Sequence, residues 1–101
     1  MIRPLEEPEI RAALRELEGW EWNGNELVRT VELGSHPAAI ALLTRIAFAA
    51  EALMHHPEVR ISYRRLELRL TTHDVGGRVT ERDIALAREI QAILESTKKM
   101  P

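Results

Sequence analysis

The chain has 101 residues and a formal charge of −2, which bounds it to one small domain spanning residues 1–101, with no general attraction to nucleic acid or anionic lipid. It contains no cysteine, so disulfides, thiol catalysis and thiolate metal sites are excluded. The N-terminus is acidic and proline-broken, and no apolar run approaches the ~18 residues of a membrane span, so a cytoplasmic protein without a membrane partner is expected.

A first helix is predicted from about Pro8 to Glu18. Proline suits a first helical turn, Ile10, Ala13, Leu14 and Leu17 form one apolar stripe, and Gly19 is a natural stop. Residues 20–33 read as a hairpin: Trp20 and Trp22 flank Glu21, Asn23-Gly24-Asn25 signals a turn, and Leu27, Val31 and Leu33 share one parity. A second helix follows from roughly Pro37 to His55. Ile40, Leu43, Ala47, Ala50 and Met54 form one stripe, Leu42, Ile46, Ala49 and Leu53 a second, and Ala41, Phe48 and Ala52 a third. A helix apolar on so much of its circumference needs partners on more than one side. One side suits a sheet. The other is expected to pack on the same helix of a second subunit, the alternative being cover by the first and last helices.

Two strands come next. Val59, Ile61 and Tyr63 alternate with Arg60, Ser62 and Arg64, and Leu66, Leu68 and Leu70 alternate with Glu67, Arg69 and Thr71. One face of each is apolar and the other wet, as in an antiparallel sheet covered on one side. Gly76-Gly77 makes a turn, and Thr80 opens a last helix to about Glu95 with Ile84, Ala87, Ile90 and Leu94 inward. The expected fold is α+β, a four-stranded antiparallel sheet with three helices on one face in the order α-β-β-α-β-β-α.

Three of the four histidines fall between Glu51 and Asp83. His55 and His56 precede Pro57, which disfavours helix at His56 and is expected to turn the chain there, so that both rings face one cleft. His55 occupies the last helical turn, where exposed carbonyls favour a cation, and Glu51 one turn earlier is its expected carboxylate partner. Together these make His55 a candidate acid; a surface Glu–His pair without a role remains the alternative. His73 has the parity of Glu67, Arg69 and Thr71 and is expected on the uncovered face near the glycine turn, lining a cleft or merely solvated. Thr80-Glu81-Arg82-Asp83 reads as a capping box, which makes helix capping the main task expected of Asp83. No metal is expected, since adjacent histidines rarely chelate one ion. His36 reads only as an entry residue before Pro37. Arg60, Arg64, Arg65 and Arg69 interleave with Glu58 and Glu67, which favours a wet strand face over a nucleic-acid stripe.

The run Glu51-x3-His55-His56-Pro57, with Tyr63 after five residues, His73 after nine more and Asp83 after a further nine, resembles the signature of the pterin-4a-carbinolamine dehydratases. Gly19-Trp20, Leu43-Thr44-Arg45-Ile46-Ala47 and Thr80-Glu81-Arg82-Asp83-Ile84 extend the likeness from about residue 18 to 94. The resemblance implies the α+β fold already read from the pattern and a homodimer or homotetramer joined through the central helix. It implies dehydration of 4a-hydroxytetrahydropterin to quinonoid dihydropterin, the step that returns the cofactor of aromatic amino acid hydroxylases for reduction. His55, His56 and His73 would be its catalytic histidines. Glu51, Met54, Thr71, Thr72 and Asp74 would line the substrate site, and Asp83 would support it. The reaction needs no cofactor beyond the pterin substrate. Two features depart from the family pattern: the Gly76-Gly77-Arg78-Val79 turn is one residue longer, and Val59 stands where several relatives carry an aromatic residue. The resemblance also leaves a rival open, a non-catalytic oligomeric binding, assembly or coactivator protein on the same fold.

Overall fold

The computed structural model describes residues 2–99; the ends of the single domain expected over 1–101 lie outside that range. Helix α1 spans Glu7–Leu14. Glu9 reaches back to accept from the Glu6 N–H at 2.9 Å, holding the first turn. The helix is shorter than its stripe predicts. Beyond Leu14 the chain continues in tighter turns, Glu16 N–H to Ala13 and Leu17 N–H to Leu14, until Gly19 reverses it at φ 87. The positive φ favours glycine there, and a Cβ would also have to displace the Arg29 guanidinium, 2.4 Å away.

Strands β1 (Trp20–Trp22) and β2 (Leu27–Glu32) form the expected hairpin, its loop closed by Asn23 Oδ1 accepting from the N–H groups of Asn25 and Glu26. Helix α2 spans His36–Leu53, capped by Ser35 Oγ accepting from Ala38 N–H. Strands β3 (Glu58–Ser62) and β4 (Arg65–Leu70) follow, then a 3-10 turn at His73–Val75 and helix α3 over Glu81–Lys99, one turn longer than expected. The sheet is antiparallel throughout, in the order β1-β2-β4-β3. The expected α+β order and layering are those observed.

The core lies between the sheet and the helices. Leu66, Leu68 and Leu70 of the central strand β4 and Leu27 of β2 are fully covered, with Ile46 of α2 and Leu86, Ala87 and Ile90 of α3 against them. Burial of each such aliphatic side chain stabilises by about 1.5–3 kcal/mol. β3 is an edge strand and departs from its pattern. Val59 is 38% exposed and Tyr63 73%, because no helix extends over this edge and Tyr63 sits in the β3–β4 turn at φ 55. His36 is more than an entry residue: its Nδ1 donates to the Tyr63 carbonyl and its ring lies parallel to the tyrosine ring. That contact ties the turn to the start of α2.

Only one side of α2 is used within the chain. Ala39, Leu42, Ile46 and Ala50 are buried, while Phe48 is 75% exposed and Ile40 and Leu53 about half as much. The first and last helices therefore do not cover the second side. By length and composition α2 is apolar enough to cross a membrane, with a mean hydropathy of 1.2, yet its inner row closes the domain core.

On the uncovered sheet face two of the four arginines of the expected stripe, Arg64 and Arg69, are paired with carboxylates. Arg69 donates to Glu67 and Glu26 at 2.9 Å each, and Arg64 lies 3.3 Å from Glu32. The hydrogen bond from Arg69 is the main reason the Glu67 carboxyl titrates below its ordinary range. With Glu26, Glu32 and Glu67 set among these arginines, the face is one of mixed charge and not a purely basic stripe.

Candidate active site

The site begins with a backbone reversal at the end of α2. Met54 adopts the left-handed conformation (φ 50, ψ 41) and its N–H bonds back to Ala50 and Glu51, while His55 N–H bonds to Ala50. The turn therefore occurs two residues before the position expected from Pro57. Both His55 and His56 still line one cleft, as expected, but they take different carboxylate partners, one buried and one exposed.

His55 goes inward. Its Nε2 lies 2.6 Å from Asp83 Oδ1, with side-chain exposures of 10% and 0%. This corrects the expected pairing with Glu51, which instead meets His56 at 2.8 Å on the surface. The carboxylate only accepts, so His55 carries its proton on Nε2 and its Nδ1 side is set by that bond.

Asp83 has two tasks where the sequence reading assigned one main task. The Asp83 half of the capping box is present, Oδ2 accepting from Thr80 N–H at 2.9 Å, while Thr80 Oγ1 caps the Arg82 N–H at 3.2 Å in place of the Asp83 N–H. The same Oδ2 also accepts from Thr72 Oγ1 at 2.8 Å. Because the Thr72 hydroxyl donates to Asp83, the Thr80 hydroxyl, 2.7 Å away, donates to Thr72. A single directed chain thus runs from the start of α3 through two buried hydroxyls to the carboxylate that holds His55. Buried and satisfied, such a network fixes geometry.

Strand alternation does not carry His73 to its place. β4 ends at Leu70, Thr71 and Thr72 are both buried, and Thr72 bridges to Arg78. Thr71 Oγ1 donates to the Asn25 carbonyl at 2.9 Å. His73 then starts the 3-10 turn, which Gly76 and Gly77 close at φ 76 and 75 by bonding back to His73 and Thr72. The histidine is exposed at the rim, as expected, by a different route.

These segments enclose an open cleft of about 230 Å³ lined by Met54, His55, His56, Thr71, Thr72, His73, Asp74 and Arg82. Seven of the eight were predicted for the site. Glu51 is not in the lining and acts on it through His56. Arg82 was missed; its signal was available, since it is the one cation beside Asp83 in the capping motif, and its Nη1 lies 3.7 Å from Asp74 Oδ2. A cavity of about 260 Å³ on the sheet face is lined by Arg60, Ser62, Arg65 and Glu67, which offers no comparable acid–base set. Among the described residues no cluster of three His, Asp or Glu side chains is arranged to hold a metal ion.

The family model described as pterin 4 alpha carbinolamine dehydratase matches residues 3–93. The chain belongs to this family. Among its curated relatives, a protein of Chloroflexus aurantiacus provisionally named pterin-4-alpha-carbinolamine dehydratase is 50% identical over 89% of this chain and 96% of its own. One from a Roseiflexus species, with the same provisional name, is 45% identical over 93% and 100%. A crystal structure titled transcriptional coactivator/pterin dehydratase, from Brucella melitensis, superimposes with a TM-score of 0.84 at 35% identity, covering 90% of this chain and 98% of that one. A pterin dehydratase-like protein identified as a RuBisCO assembly factor of the alpha-carboxysome shares the fold at a TM-score of 0.58 and 20% identity, over 73% of this chain and 84% of its own. The cleft of this pterin dehydratase family member is thus assembled from the end of α2, the segment after β4 and the start of α3.

Proposed function

We propose that this chain dehydrates 4a-hydroxytetrahydropterin to quinonoid dihydropterin. The observation that carries the reading is the convergence of His55, His56 and His73, from two separate segments, on one open cleft. Loss of water breaks the C4a–O bond, places a proton on the departing hydroxyl and removes the proton from N5. No electrons are exchanged, so the chemistry asks only for a proton donor and a proton acceptor. His56 and His73, the two exposed rings, fill those roles. His55, immobilised by Asp83, forms the fixed wall that orients the heterocycle. Met54, Thr71, Thr72 and Asp74 line the substrate site, and the pterin is substrate and not a resident cofactor.

Single replacement of each histidine by alanine, followed by stopped-flow measurement of dehydration, tests this. Loss of either proton carrier is expected to cost about 10²–10⁴-fold. If His56→Ala and His73→Ala both retain the full enzymatic rate, the proton-transfer mechanism is wrong.

The unpartnered side of α2 supports a second element of the proposal, that copies of this chain associate through the central helix. Phe48 at 75% exposure is its most exposed large apolar side chain, and an apolar face on this scale is an association surface. Sedimentation is expected to give a dimer or tetramer that Phe48→Glu reduces to monomers; a monomeric parent protein would refute it.

A further inference from the structure

Each of two cleft histidines has a bonded carboxylate, His55 with Asp83 and His56 with Glu51. His73 has no side-chain hydrogen bond among the described residues, and its one ionic neighbour there is Glu58, with Nε2 and Oε1 4.0 Å apart. Glu58 opens β3 directly after His55-His56-Pro57 and faces Arg69 across the ladder. An arginine directly opposite is the ordinary partner for such a carboxylate. Here Arg69 is already bonded to Glu67 and Glu26, which leaves Glu58 free to serve the imidazole.

We propose that Glu58 is the positioning residue for His73. With substrate in the cleft the gap closes, the Glu58 carboxylate accepts the Nε2 proton, and Nδ1 of His73 is presented to the reacting edge. Which ring nitrogen is protonated is set by the bond the other makes, and catalytic hydrogen bonds are often long until substrate is bound. Both side chains are well exposed, at 74% and 64%, so the pair adds little to stability. Its role is direction and tautomer. The proposal rests on the dehydratase reading, with His73 as a proton carrier.

The test combines a spectrum with kinetics. Long-range ¹H–¹⁵N spectra of the protein with a dihydropterin analogue, assigned by loss of peaks in His73→Ala, report the His73 tautomer directly. Glu58→Gln is expected to move the His73 ring nitrogens while His55 and His56 stay in place. The same variant should lower kcat roughly three- to thirtyfold, short of losing a whole acid–base group, with KM held within about twofold. Glu58→Asp should recover part of the rate, and Glu32→Gln, on the same sheet face but paired with Arg64, should change neither readout. Unchanged His73 signals in Glu58→Gln would overturn the proposal, as would a loss confined to KM. If the unmodified protein showed no dehydration at all, the functional reading would fail, and the nitrogen spectrum would still decide the Glu58–His73 link.

Discussion

His55–Asp83 and His56–Glu51 are chemically the same pair, an imidazole and a carboxylate, yet their surroundings differ sharply. The first is buried, with 10% and 0% of its side chains exposed, and the second is open, with 61% and 78%. In the buried pair the carboxylate has every oxygen engaged, by His55, Thr72 and the Thr80 backbone. Removing it strands several donors away from water. In the open pair solvent replaces either partner at little cost. Burial therefore makes one pair a fixed strut and leaves the other a solvent-exposed contact that costs little to break.

The largest effect is expected at the strut. Asp83→Ala should destabilise the fold by about 3–5 kcal/mol, as removal of one member of a buried pair generally does, and denaturant unfolding measures it. A loss below ~1 kcal/mol would mean that Asp83 acts mainly as a helix cap, since capping alone is worth about that much. Glu51→Gln tests the other side of the comparison. Its stability change should stay within about 1 kcal/mol, with the damage appearing in dehydration rate. A large unfolding effect would erase the distinction between the pairs.

The smallest effect concerns a surface carboxylate outside the cleft lining. Glu9 is held down to about 2 from an ordinary 4.5, chiefly by its hydrogen bond from Arg3 and then by the Glu6 N–H. A folded-state value below the unfolded one contributes stability that is complete above pH 4.5 and is lost as pH falls towards 2. Carboxyl ¹³C titration should find Glu9 low, and Arg3→Gln should move its midpoint upward without altering the His55 environment. A Glu9 midpoint unmoved by the change would show that the Glu6 backbone bond, not Arg3, dominates.

The β4 alternation of Leu66, Leu68 and Leu70 and the Ile84, Ala87, Ile90 and Leu94 stripe of α3 were legible because periodicity in sequence is periodicity in burial. The same rule failed at β3, where Val59 and Tyr63 have the inward pattern but stand at an open edge; local alternation carries no information on where a sheet stops. The histidine cleft was legible as residue types and spacing. Its partnerships were not, because a left-handed methionine is invisible to propensity and redirects everything after it. Likewise the path from β4 to His73 is made by a 3-10 turn, not by continued pleating.

By itself the amino-acid order determined the main helices and strands, the layered α+β arrangement, the apolar excess of α2 and the placing of three histidines at element ends, since these follow from side-chain chemistry taken a few positions at a time. Tertiary structure alone decided which carboxylate each histidine meets and whether that meeting is dry or wet. Asp83 lies 28 positions from His55, and no local rule connects them. Their pairing exists because α3 docks beside the end of α2, and burial then makes one of two similar pairs an anchor while the other stays open to solvent.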